Sequence, residues 1–466
     1  MASEDLEKIR DDMINAFSEN TRTLSENTAY YNAERRPQAI SRQTPTNMRE
    51  YLAQIGYARI YINSLADRLT VEGFRLGEKE ETDELMWDWW QANNMDVESA
   101  LAFTEALVHG RSYITVAAPT PDDLGVDQTI PIIRVESPTT LYAEIDPRTR
   151  LVKQAIRVIY DSDGSQVDAA TLYLPDKNVF WLAEDGQLKS AGTANHGLGV
   201  CTVVPVANRT RMADLLGTSE ITPEVRSASD AAARILMNMQ GTADIMAVPQ
   251  RLLFGVRPEE LGVDPETGQA LFDGYLARIL AFSDHDAKAQ QFSAAELRNF
   301  VDALDALDKK VAAYTGLPPQ YLSTTTDNPA SAEAIRASEA RLVKAAERKA
   351  LIFGGALEEA MRVAYKVMNP GSEIPPEMLR METVWRDPST PTYAAKADAA
   401  TKLYANGLGV IPKEQARIDM GYSDTQRRQM RRWDEQEDPM RQLGTMYGTT
   451  AQGRPSPESQ EDREAA

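Results

Sequence analysis

Cysteine and histidine are scarce in this chain, and long apolar runs are missing. Cys201 is the only cysteine among 466 residues, which excludes an intrachain disulfide framework and a cysteine zinc cage and fits a reducing compartment. The three histidines, His109, His196 and His285, stand far apart and in no H-E-x-x-H or H-x-H pattern, so zinc and triad chemistry have no basis. Asp284-His285-Asp286 reads as an exposed turn. No G-x-x-x-x-G-K-[ST] occurs, which removes a phosphate-loop motor. No apolar stretch approaches the roughly 18 residues a spanning helix needs; the best, ALIFGGALEEAM, is short and carries carboxylates. The opening residues MASEDLEKIRDDMINAF lack a basic region, a continuous apolar run and a small-residue cleavage site, so nothing argues for export.

Positive charge is short as well, at a formal net charge of −20. A protein that grips DNA by neutralising phosphates has the opposite sign. A wall past which a polyanion slides is compatible with it, because an acidic surface lowers the attraction that would stall movement. Hydrophobic residues at 42% and charged residues at 26% are ordinary for a folded globular protein. The length allows two or three packed units.

The first half reads as mixed helix and strand. Residues 46–69 carry Tyr51, Ile55, Ala58, Ile62, Leu65 and Leu69 at helical spacing, an apolar stripe on a polar rod. TVEGFRL follows as a short strand, then helices around 83–92 and 97–108. Trp87, Trp89 and Trp90 read as aromatic core. From 111 to 183 the runs SYITVAA, PIIRVES, LVKQAIRVIY, DAATLYLP and KNVFWLA, divided by Pro, Gly and Asp clusters, predict an antiparallel sheet. Asp161-Ser162-Asp163-Gly164 reads as a hairpin turn, since a calcium loop needs oxygen ligands and a Glu at offsets that are absent.

The second half reads as mainly helical. Thr222-Pro223-Glu224 is a helix start, and the helix runs until Val248, which Pro249 pushes out of the α region. At about 1.5 Å per residue it is roughly 37 Å long. Residues 249–292 form a compact insert with the strands RLLFGV and ARILAF. A second helix starts at a capping box, Ser293 with Glu296, shows the apolar face Leu297, Phe300, Val301, Leu304, Leu307, Val311 and Tyr314, and stops at Gly316. GLPPQYLSTTTDNPAS is too polar and proline-rich for helix. A long helix then spans 329–368, with Gly354-Gly355 as a kink or break. A helical unit follows Pro391, and TAQGRPSPESQEDREAA reads as a disordered tail.

Two stretches, LLGTSEITPEVRSASDAAARILMNM and VAAYTGLPPQYLSTTTDNPASAEAIRASEARLVKAAERKALIFGGALEEAMRVAYKV, resemble the portal proteins of tailed phages of the SPP1-like type. The order of elements resembles that family too. The resemblance implies a wing domain at 1–221, stem helices at 222–247 and 293–316 around a clip at 248–292, and a tunnel loop at 317–331. A returning wing helix at 332–390, a crown at 391–445 and a tail at 446–466 complete the implied layout. It implies a structural homo-oligomeric ring, a dodecamer, at one capsid vertex, through which double-stranded DNA is packaged and ejected. The implied partners are a terminase, head completion or adaptor proteins, and the major capsid and scaffold proteins. Assembly in the host cytoplasm follows, with no membrane, no metal and no cofactor.

Within that frame Ser323, Thr324, Thr325, Thr326 and Asn328 are the candidates for touching DNA, because short neutral donors make weak, exchangeable contacts to phosphate oxygens. Asp302, Asp305 and Asp308 form an acidic row on the second stem helix. Arg341, Lys344 and Arg348 share a face of the long helix at i, i+3 and i+7, where they meet a channel or a neighbouring copy, or pair with Glu339 and Glu347 on a solvated surface. A carboxylate-dependent nuclease or hydrolase, and a head or connector protein of another kind, remain as alternatives.

Overall fold

Ser3–Tyr31 form helix α1, 29 residues long, whose buried positions Met13, Phe17, Leu24, Asn27 and Tyr30 follow the helical repeat. The computed structural model describes residues 3–35, 54–77, 82–247, 251–254, 279–282, 296–322, 332–389, 393–404, 408–422 and 424–437. Helix α2, Tyr57–Ala66, begins after its cap Gly56, so the helix expected over 46–69 starts later than its stripe: residues 54–56 are not helical, and 46–53 lie outside the described residues. Strand β1 (Val71–Arg75) and helices α3 (Glu84–Ala92) and α4 (Met95–His109) follow. Asp83 caps α3 by accepting from the Met86 amide at 3.1 Å. The tryptophans are core: Trp89 and Trp90 are buried, and the Trp90 Nε1 donates to Asp96 at 2.8 Å.

The strand region folds as two antiparallel sheets where the sequence suggested one. In the first, β2 (Arg111–Ala117) lies between β3 (Ile132–Glu136) and β9 (Val203–Ala207). Because both edges of β2 are paired, β4 (Leu141–Ile145) cannot join it. It starts a second sheet, a meander through β5 (Val152–Tyr160), β6 (Val167–Tyr173), β7 (Lys177–Glu184) and β8 (Gln187–Asn195). Helix α1 covers one face of that meander, with Met13 and Phe17 packed among Ile156, Val158, Leu172 and Trp181. The Asp161 carboxylate accepts from the Ser165 amide at 2.8 Å, and Gly164 has φ 68°, as a turn requires.

The second half comprises α5 (Pro223–Ala247), the parallel pair β10 (Arg251–Phe254) and β11 (Ile279–Phe282), α6 (Arg298–Thr315), a 3-10 turn at Pro319–Tyr321, α7 (Ala332–Met368), β12 (Glu382–Trp385), α8 (Tyr393–Tyr404), α9 (Lys413–Met420) and α10 (Asp424–Glu437). The expected capping box does not open α6: the helix begins at Arg298, beyond Glu296, and Ser293 lies outside the described residues. Gly316, at φ 76°, ends it as expected. Nor does Gly354-Gly355 break α7, which runs through 37 residues. A Cβ at Gly354 would stand 3.3 Å from Trp385 Nε1 and 3.5 Å from Thr383 Cβ, so this glycine admits β12 against the helix.

The main core gathers Ile62, Leu65, Trp90, Phe103, Ile114 and Val206 from the first half around Leu342, Phe353 and Leu357 of α7. The rings of Phe103 and Phe353 stack at 5.3 Å. Strand β1 pairs antiparallel with β12, Phe74 facing Thr383. No helix among the described residues is long and apolar enough to cross a membrane.

Candidate functional site

Helices α5 and α6 pack along one another through Ala228, Ala232 and Val311, with Leu304 and Leu307 partly buried beside them. The small residues on α5 let the two helices approach closely. Tyr57 closes this contact from α2 by donating its hydroxyl to Asp308 at 2.5 Å. Burial, and then the hydrogen bond to Asp308, push the Tyr57 hydroxyl pKa up. Helix α1 grips α5 from the other side. Tyr30 donates to Asp230 at 3.2 Å, and Arg226 donates to Asn27 and pairs with Glu26 at 3.4 Å. Cover along α6 is incomplete: Val301 and Tyr314 are exposed to 43% and 54%, and Leu297, just ahead of the helix, to 37%.

After Gly316 the chain turns back through buried Leu317 into the 3-10 turn, which is tied to the first turns of α7. Gln320 donates to Ser338 at 2.9 Å and Tyr321 to Glu339 at 2.7 Å. Arg68 reaches the same point, donating to the Tyr321 hydroxyl at 3.1 Å and to the Pro388 carbonyl at 2.9 Å, with Glu339 3.6 Å away. Residues 320–321, ahead of the polar segment, and residues 338–339, beyond it, are therefore cross-linked to one another. Ser323, Thr324, Thr325, Thr326 and Asn328 themselves lie outside the described residues.

The phrase Gly217-Thr218-Ser219-Glu220, just before α5, builds a buried polar junction. Lys349 of α7 donates to Glu220 at 2.5 Å and to Asn208 at 2.5 Å, Tyr61 donates to Glu220 at 2.8 Å, and Asn208 does so at 2.9 Å. Ser219 donates to the Val108 carbonyl at 2.5 Å. Burial raises the Glu220 carboxyl pKa, but the Lys349 charge and the donated hydrogen bonds outweigh it and hold the group ionised. This junction fixes the base of α5 to α2, α4 and α7. The sequence marked the phrase without assigning work to its residues.

The structure separates the other candidates. Asp302 is exposed and Asp305 half-buried, whereas Asp308 is held inside the subunit by Tyr57. Arg341 donates to the Ala313 carbonyl at 2.8 Å, bracing α7 on the end of α6. Lys344 pairs with Glu347 at 2.7 Å on the surface, and Arg348 is exposed. His109 is buried, its pKa lowered to about 4 by desolvation and then by Arg111. Among the described residues no group of three His, Cys, Asp or Glu side chains is placed to hold a metal ion.

Known proteins resemble this chain over nearly its full length. Residues 10–441 match the family described as phage portal protein, SPP1 Gp6-like. The portal protein of Mycobacterium phage L5 is 62% identical over 459 residues, 97% of this chain and 94% of that one. That of Mycobacterium phage D29 is 62% identical over 453 residues, 96% and 93% of the two chains. Among solved structures, a chain from the neck of a native GTA particle computed with C12 symmetry superposes with a TM-score of 0.37 at 15% identity, covering 84% of this chain and 96% of that one. A chain from the neck of an empty GTA particle computed with C6 symmetry gives 0.36 at 14%, covering 78% and 89%. With the family match spanning residues 10–441 and two relatives at 62% identity, this chain belongs to the SPP1 Gp6-like family of phage portal proteins.

Proposed function

We propose that twelve copies of this chain close into a ring at one vertex of a tailed-phage capsid, and that double-stranded DNA is packaged and ejected through its centre. The role is structural and not enzymatic, as family membership supports. The observation that carries the ring is α6: its apolar stripe is covered by α5 at Leu304, Leu307 and Val311 but stays in water at Val301 and Tyr314, and at Leu297 just ahead of the helix, the pattern of a stripe whose remaining cover is another copy. In this reading α5 and α6 are the stem, and 248–292 is the clip where the terminase docks and head completion or adaptor proteins follow. The loop 317–331 faces the channel, and 391–445 is a crown toward the packaged genome. Major capsid and scaffold proteins meet the periphery. Neither metal nor cofactor has a part in it.

The polar cross-link between Tyr321 and Glu339 supports the loop assignment, since it ties together the chain ahead of and beyond a segment rich in short neutral donors. The acidic charge of the whole chain keeps weak contacts from becoming a grip. Electron microscopy of the purified protein is the test of the ring, and a chain that stays monomeric under all conditions overturns it. Deleting Thr324 to Thr326 is expected to leave rings intact and impair DNA packaging. Normal packaging by that variant removes the loop from the mechanism.

A further inference from the structure

Between β2 and β3 the chain projects a loop, residues 118–131, with an unusual tip. Leu124 is 94% exposed and Val126 39%, and Asp122, Asp123 and Asp127 stand beside them in sequence. The tip is preorganised. The Asp123 carboxylate accepts from the Thr120 amide at 2.7 Å and hydroxyl at 2.9 Å. Asp127 accepts from the Thr129 amide at 2.9 Å and hydroxyl at 2.7 Å, and Gln128 donates back to the Thr120 carbonyl at 3.0 Å. Gly125, at φ 83°, lets the turn close. The same hydrogen bonds, those from the two threonine amides first, hold both carboxyls below the usual range, so the tip keeps its negative charge.

A surface of opposite character lies elsewhere on the chain. A cleft of about 910 Å³ runs between the β4–β5 turn, the segment 199–215 and α7. Val152, Val203, Ile352 and Ala356 contribute to its apolar lining, and Arg150, Lys153, Arg209 and Arg211 to its charge, against Asp146 and Glu359. Lys153 is shared with Glu144 at 3.5 Å, and Arg209 is spent on the carbonyls of Asp214 and Met212. Arg150 and Arg211 are exposed. No residue of 118–131 lines the cleft within its own subunit.

Identical chains of net charge −20 repel one another, so contact between them needs local patches of opposite sign. An apolar knob ringed by carboxylates and an apolar cleft edged by guanidinium groups meet that need. Because they are different patches of one chain, their contact is head to tail, the type that closes into a ring by rotation. Resting on the ring reading above, we propose that Leu124 and Val126 of each copy seat in the cleft of the next copy, with Asp122, Asp123 and Asp127 against Arg150 and Arg211.

The test is a cross-link on assembled rings of a Leu124→Cys, Met212→Cys chain, Met212 being an 86% exposed residue of the cleft. Cys201 is buried but lines the same cleft, so every cysteine variant is made in a Cys201→Ser chain, in which the introduced thiols are the ones that react. A short bismaleimide should yield a covalent ladder in multiples of the 51.7 kDa chain, and neither single-cysteine chain should. Adding Arg150→Glu and Arg211→Glu should cut the yield roughly tenfold, and adding Asp122→Lys to those should restore it. All these positions are exposed. In case the variants fold poorly, carbodiimide on unmodified rings should join peptides holding Asp122 or Asp127 to peptides holding Lys153 across chains. Rings that give no interchain link by either chemistry, or a ladder from Leu124→Cys alone, overturn the docking while leaving the ring reading intact. A chain that is monomeric throughout defeats both.

Discussion

Lys349 and Glu220 form an ion pair with little access to water, the side chains 7% and 12% exposed. Removing one partner of such a pair strands the other, at about 3–5 kcal/mol, whereas removing both charges together is far milder. Lys349→Met is therefore expected to lower the unfolding free energy by about that amount, and Lys349→Met with Glu220→Gln to recover the greater part of it, as urea titration would show. A single variant no worse than the double would mean that the pair contributes no coupling. Neither residue was legible as part of a site: Lys349 lies among other cations of a mixed-charge helix, and Glu220 looks like any acid ahead of a helix start. The candidates that were legible, Lys344 and Arg348, were readable because their face is exposed, and Lys344 spends its charge on Glu347.

Glycines mark where elements meet. At Gly217 a Cβ would fall 2.0 Å from the Gly110 carbonyl oxygen and 2.8 Å from the Asn208 amide, at φ +76°, whereas at Gly164, φ +68°, it would meet nothing. Gly217→Ala should cost more than about 3 kcal/mol and Gly164→Ala about 1 kcal/mol, since the second pays only for the left-handed backbone. Thermal unfolding of both variants checks this, and equal losses would show that the close approach at Gly217 is dispensable. The same elements set the limits of sequence reading. Helices α5, α6 and α7 were legible through a Pro start, a Gly stop and an apolar stripe. Helix α1 was not, because its buried face includes Asn27 and reads as too polar. Strand β8 has no alternation to find, being exposed almost throughout, and β4, β9 and β12 are only four or five residues long. Gly354 of α7 misled because its reason, the approach of β12, lies far along the chain.

In the whole molecule, the pairing of β1 with β12 joins strands far apart along the chain, Arg75 donating to Glu382 at 3.0 Å across 307 positions. Ending the chain after Pro376 removes β12 and the buried Met378 and Met381, leaving β1 a bare edge. That chain is expected to aggregate or to lose cooperative unfolding, whereas one ended after Pro388, which keeps β12, is expected to retain it. Circular dichroism melts of the two would decide, and equal cooperativity would make the pairing ornamental.

The span of that pairing also sets a clock on biosynthesis. A strand made early must wait for its partner, and at about 5–20 residues per second the delay is roughly 15–60 s. Until then no nascent chain can close the core on which α7 and the base of α5 rest. Chains that stop short of β12 therefore cannot close this core, and in the ring proposed above the topology would screen such copies out before they spoil an assembly in which one defective member compromises every other.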